Sequence, residues 1–114
     1  MDYLKDKGIL LKQAEKQLTV ASTKDKNIAL EKVALTIDKN REEILEANEL
    51  DIKTARDNNM SESLIDRLAL DNKRLDGIIE GINTVIKLPD PIWKSNKVWT
   101  IENGLTISQM TVPM

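Results

Sequence analysis

Leu88-Pro89-Asp90-Pro91 divides this chain in two. A proline inside a helix removes a backbone donor and clashes with the preceding turn. Each proline also pushes the residue before it toward extended geometry. A helix arriving at Leu88 therefore has to end there. Upstream, the long apolar patterns have a helical period. Downstream, the pattern is that of strands around a tight turn. The expected class is mostly α, four to five helices, followed by a C-terminal β-hairpin. Residues 1–88 form the helical segment, 89–97 a Pro-containing connector and 98–114 the hairpin.

The helices follow from spacing. Leu4, Gly8, Leu11, Ala14, Leu18 and Ala21 recur every three or four residues, which predicts a first helix from about Asp2 to Val20. Ser22, with Asp25 three residues on, gives a capping signal for a second helix, Thr23 to Lys39. Its stripe is Leu30, Val33, Ala34 and Ile37. Asn40 with Glu43 repeats the cap logic, so the chain bends or restarts before a third helix, Arg41 to about Asn58. That helix carries Ile44, Leu45, Ala47, Asn48, Ile52 and Ala55. Asn58-Asn59 ends it, because Asn tolerates the left-handed conformation. Ser61 can cap a short helix, Glu62 to Leu68, and Asp71 a last one, Asn72 to about Leu88. Leu75, Ile78, Ile79, Ile82, Val85 and Ile86 give this last helix the strongest apolar stripe in the chain. Gly77 and Gly81, four apart within it, would let another backbone approach closely, and tight helix packing is the plainest reading.

Asn103-Gly104 is a strong hairpin signal, because both residues accept the positive φ of a type I′ turn. A two-residue loop pairs Glu102 with Leu105, Thr100 with Ile107 and Val98 with Gln109 on one face. Ile101 with Thr106 and Trp99 with Ser108 share the other. Each face then mixes polar and apolar groups. An isolated two-stranded ribbon is marginal in water, and its open edges invite another strand. The hairpin thus predicts a partner, with Trp99, Ile101, Asn103, Gly104, Leu105 and Ile107 as candidate interface residues. Trp93 and Trp99 read as anchors of packing or of such an interface.

Composition narrows the chemistry. The chain has 17 basic and 19 acidic residues and a net charge of −2, so it lacks the cationic surplus that nucleic-acid binding draws on. No apolar run approaches the ~20 residues of a bilayer span. The stretch Ile9-Leu10-Leu11 is too short for the core of a signal peptide, so cytoplasmic residence is the default expectation. There is no Cys and no His, which excludes Ser-His-Asp, Cys-His and His- or Cys-ligated zinc chemistry within these residues. No glycine-rich phosphate loop occurs. Glu42, Glu43, Glu46, Glu49 and Asp51 could hold a hard cation, but without an accompanying loop they read first as a solvated helix face. Asn48, set among apolar residues, needs a hydrogen-bond partner. Arg67 could bind an anion, or pair with a local acid such as the adjacent Asp66. No catalytic, cofactor-binding or metal residue stands out.

The stretch N-R-E-E-I-L-E-A-N-E-L-D (40–51), then A-R-D-N-N-M-S-E-S-L-I-D-R-L (55–68), resembles gamma-glutamyl phosphate reductase, also called glutamate-5-semialdehyde dehydrogenase. The resemblance continues through R-L-D-G-I-I-E-G-I-N-T-V-I-K-L-P-D-P-I (74–92) and W-T-I-E-N-G-L-T-I-S-Q-M-T-V-P-M (99–114). It covers essentially the whole chain. It implies the N-terminal segment of an aldehyde-dehydrogenase-like α/β fold, whose helices pack on a cofactor domain and whose first hairpin joins an oligomerisation sheet. It also implies an enzyme that reduces L-glutamate 5-phosphate with NADPH to glutamate 5-semialdehyde and phosphate, in proline biosynthesis. The family's chemistry needs a cysteine thiolate, which these residues lack, and no catalytic or cofactor contact carries over. The implied partners are the remainder of a reductase chain and further copies through the hairpin, with no nucleic acid and no membrane. The competing expectation is a stand-alone helical module that pairs through its hairpin.

Overall fold

The computed structural model describes residues 3–113. The order is α1 (Tyr3–Thr19), α2 (Thr23–Lys39), α3 (Arg41–Asp57), α4 (Glu62–Leu68), α5 (Asn72–Lys87), β1 (Ser95–Thr100) and β2 (Thr106–Met110). Five helices followed by an antiparallel two-stranded sheet is the expected class. Asp2, the expected start of the first helix, and Met114, the end of the hairpin segment, lie outside the described residues. Two compact units form: Lys24–Leu88 is one, and Met1–Thr23 with Pro89–Met114 the other.

In the first-named unit, Ala34, Ala55, Ile65 and Leu75 are buried, one from each of α2, α3, α4 and α5, and Leu75 is only 1% exposed. The α2–α3 junction is a single non-helical residue, Asn40, so the expected restart is found. The capping box is not. Asn40 sits at φ −107°, ψ 27° rather than in the extended region of an N-cap, and its side chain caps no following N–H. Its Nδ2 donates back to the Thr36 carbonyl at 2.7 Å, closing the end of α2 instead.

The other boundaries follow local chemistry. Asn59 adopts φ +56°. Met60 N–H donates to the Ala55 carbonyl and Asn59 N–H to that of Arg56, both at 2.9 Å. This is the paired-bond ending of a helix whose next residue is left-handed. Ser61 is extended ahead of α4, but its hydroxyl makes no capping bond and lies 3.3 Å from that of Ser63. Asp71 does cap α5, accepting from Arg74 N–H at 2.7 Å. Leu88 turns extended ahead of Pro89, as the two prolines require.

Candidate interaction surface

The hairpin departs from its expected register. Trp99 faces Ile107, Val98 faces Ser108, Thr100 faces Thr106 and Lys97 faces Gln109, a slip of one residue from the predicted pairs. β1 also starts earlier than Val98, at Ser95, with a bulge between Ser95 and Lys97. The cause lies in the loop. Gly104 takes φ +83°, but Asn103 is not among the residues with positive φ, so the type I′ turn is excluded. Gly104 N–H instead donates to the Ile101 carbonyl at 2.9 Å, and Ile101 N–H to that of Leu105 at 3.0 Å. This is a type I turn followed by a left-handed glycine, the usual three-residue hairpin loop. Asn103 Oδ1 accepts from Leu105 N–H at 3.1 Å and fixes the tip.

A one-residue slip changes which side chains share a face. Trp99 and Ile107 now stand side by side, and Ile101 and Leu105 continue the same face toward the tip. Lys97 lies on that face too, its Nζ 5.5 Å from the Trp99 ring centre. The other face gathers hydroxyls. Thr100 and Thr106 Oγ1 are 3.2 Å apart, and Ser95 and Ser108 Oγ 3.0 Å apart. Both faces still mix polar and apolar groups, as expected, since Lys97 and Gln109 share the first and Val98 and Met110 the second, but the large apolar side chains are now concentrated on the first. There they form a small apolar patch, and it is uncovered: Trp99 is 41%, Ile101 38% and Leu105 58% exposed.

The base of the hairpin is tied by a residue that the sequence reading passed over. Thr111 Oγ1 donates to the Pro91 carbonyl and accepts from Lys94 N–H at 3.1 Å. Thr111 N–H donates to the Lys94 carbonyl at 3.0 Å, and Trp93 N–H to the Thr111 carbonyl at 2.8 Å. These bonds hold Trp93 at φ +56°, a conformation that a bulky residue rarely adopts. A threonine just past a strand gives no sequence signal of this kind. Asp90 orders the connector, accepting from Ile92 N–H at 3.2 Å and from the Thr23 hydroxyl at 2.8 Å.

The candidate chemical residues of the helical unit resolve into structural roles. Asn48 is 8% exposed. Its Nδ2 donates to the Leu68 carbonyl at 2.9 Å, and its Oδ1 accepts from Leu70 N–H at 2.8 Å. It therefore pins the end of α4 to α3. Asp66 pairs with Arg74 at 3.0 Å, not with Arg67, because Arg74 also reaches the Asp66 and Ala69 carbonyls that close α4. Arg67 is exposed. Arg41, missed from sequence, lies between Asp38 and Asp76, and the hydrogen bonds to Asp38 and then Asp76 raise its pKa further. Glu42, Glu43, Glu46, Glu49 and Asp51 are exposed along α3, and among the described residues no acidic group is arranged to hold a metal.

A groove of about 410 Å³ runs beside α3 and is lined by Ile52, Lys53, Arg56, Ile65 and Leu70 among others. It offers no glycine-lined cradle. Gly8, Gly77 and Gly81 lie within helices and Gly104 in the hairpin loop, so none stands at a strand-to-helix turn of the dinucleotide-binding kind. These residues do not fit a nicotinamide dinucleotide. Among the described residues no helix is long and apolar enough to cross a membrane.

Comparison with known proteins gives this arrangement a context. No protein-family model matches the chain. The gamma-glutamyl phosphate reductase of Alkaliphilus metalliredigens is 50% identical over 114 residues, which is all of this chain and 28% of the relative. The crystal structure of gamma-glutamyl phosphate reductase from Thermotoga maritima superposes with a TM-score of 0.90 at 42% identity, over 97% of this chain and 27% of that one. The Saccharomyces cerevisiae reductase superposes with a TM-score of 0.82 at 29% identity, over 88% and 26%. The chain thus spans little more than a quarter of the length of the proteins it matches. In sequence and fold it is similar to their N-terminal part.

Proposed function

We propose that this chain, a counterpart of the N-terminal segment of gamma-glutamyl phosphate reductase, serves as the helical and hairpin portion of such an enzyme. The observation that carries this is the structural likeness over 97% of its length, at a TM-score of 0.90. The activity proposed for the longer polypeptide is reduction of L-glutamate 5-phosphate with NADPH, giving glutamate 5-semialdehyde and phosphate. These residues supply neither the thiolate nor the cofactor site. Their part is architectural: residues 1–88 pack on a cofactor domain, and the hairpin engages another subunit of a homo-oligomer. The apolar face of Trp99, Ile101, Leu105 and Ile107 supports the second role, with Asn103 and Gly104 setting its turn. A soluble, cytoplasmic enzyme of proline synthesis is the corresponding cellular setting.

The test is a chimera in which this chain replaces the matching segment of the Alkaliphilus metalliredigens reductase. Phosphate-dependent reduction of NADP with glutamate 5-semialdehyde is expected from the chimera and not from the chain alone. A folded but inactive chimera would overturn the proposal. In the active chimera, Gly104→Val should lower the sedimentation coefficient by disrupting the turn. An unchanged value would remove the hairpin from the interface.

A further inference from the structure

Two dipeptides place an Asp or Asn side chain directly before a glycine: Asp76-Gly77 and Asn103-Gly104. In either, the glycine nitrogen can attack the side-chain carbonyl carbon and close a cyclic imide. Glycine favours the step, because no Cβ hinders its nitrogen or narrows the backbone conformations. The fold treats the two pairs differently. Asp76 and Gly77 lie inside α5, where helical hydrogen bonds hold the backbone, and the Asp76 carboxylate is engaged by Arg41. A carboxylate paired with a guanidinium is also a poor electrophile.

Asn103 and Gly104 lie in the loop between β1 and β2, and both are exposed. A Cβ built on Gly104 would meet nothing within 4 Å. Asn103 Oδ1 accepts from Leu105 N–H at 3.1 Å. That donor polarises the carboxamide and faces the oxygen on which negative charge develops when a nitrogen adds to Cγ. One bond opposes the attack, from Gly104 N–H to the Ile101 carbonyl at 2.9 Å. It closes the tip of a lone two-stranded ribbon, an element of marginal stability. Such a tip opens locally at little cost.

We infer that Asn103 is a site of spontaneous deamidation that switches off the hairpin face. The Gly104 nitrogen bonds to Asn103 Cγ and the Cγ–Nδ2 bond breaks. Ammonia leaves, carrying the proton lost from Gly104. Water then opens the imide at either carbonyl, giving aspartate or isoaspartate, and no other reactant is needed. Aspartate keeps the backbone and adds a charge beside Glu102. Isoaspartate routes the main chain through the former side chain and lengthens it by one atom. The loop that sets the observed register then cannot close, and Trp99, Ile101, Leu105 and Ile107 no longer share one face. The modification stands apart from the functional proposal, whereas its effect on assembly rests on the hairpin being a subunit contact.

The full chain is incubated in mildly alkaline buffer, native and in urea, and its peptides are mapped by mass and retention. Asn103 should lose its amide ahead of every other asparagine, at a native rate within about tenfold of that in urea. Asp76 should stay unrearranged in the native chain. A slower native rate at Asn103, earlier loss at another asparagine, or isoaspartate forming as fast at Asp76 would overturn the inference and leave the functional proposal standing. The chimera described above is then aged at high dilution. Its sedimentation coefficient should fall as Asn103 converts, while an Asn103→Ser chimera aged in parallel keeps its value, since serine can still accept from Leu105 N–H. If Gly104→Val lowers the coefficient and conversion does not, the switch is wrong. If neither lowers it, the switch and the hairpin contact both fall.

Discussion

Asn48 shows how a single polar side chain can organise a thin core. Both ends of its amide are used, one on the Leu68 carbonyl and one on the Leu70 N–H, and both partners sit where α4 gives way to the turn before α5. Replacing it with leucine keeps the bulk but strands two backbone groups in a part-buried place. Asn48→Leu should cost about 2–3 kcal/mol, more than an exposed control such as Glu46→Leu, by urea titration. Gly104 is the second such residue. Its φ of +83° disfavours any side chain by about 1–2 kcal/mol. Gly104→Ala should weaken the hairpin, read as loss of the Trp99–Ile107 cross-strand NOE. Both residues were legible in the sequence: an Asn among apolar positions needs a partner, and Asn-Gly marks a turn. Their partners were not legible, because Leu68, Leu70 and Ile101 contribute only backbone, which sequence does not distinguish.

At the scale of elements, periodicity and breakers located every helix, while register and electrostatics had to be seen. The hairpin has two solutions that both use Asn103-Gly104, and they differ by one residue. The observed one sorts Trp99, Ile101, Leu105 and Ile107 onto one face and the hydroxyl pairs onto the other, and such cross-strand pairs are what stabilise a sheet. Thr111→Val keeps the shape of the side chain and removes its hydroxyl bonds. It should release Trp93 from its left-handed conformation, detected as faster exchange of the Trp93 and Thr111 amides. Arg41 joins α2 to α5 through Asp38 and Asp76. Because its pKa is raised, this contribution is held from neutral pH up to the guanidinium's ordinary range and, on the alkaline side, is lost only above it. Raising the pH from neutral to about 10 should therefore leave the clamp intact. Arg41→Lys should weaken it at every pH, since an ammonium lacks the fork that spans both acids. Comparing urea midpoints of the two proteins across pH tests this.

For the whole molecule, the exposed surface decides. α1 has no buried residue, and Leu4, Leu11 and Leu18 of its stripe are 78%, 70% and 65% exposed. An apolar stripe was read there from sequence, and among the described residues of its own unit nothing buries it. The isolated chain should therefore show helical far-UV circular dichroism with a broad thermal transition. Joined to the rest of a reductase, as in the chimera, the same segment should unfold cooperatively at a higher temperature. A sharp transition in the chain alone would mean that its thin core suffices.

The sequence by itself determined the helices, the stop at Pro89 and Pro91, the presence of a hairpin and the absence of a thiolate. These depend on local sterics, on apolar spacing and on which side chains exist at all. Only the tertiary structure decided the hairpin register, the clamps made by Arg41, Arg74 and Thr111, and which apolar stripes stay open. Those outcomes depend on which backbone groups and surfaces meet across the fold. Spacing along the chain predicts that a face is apolar; it does not say what lies against it.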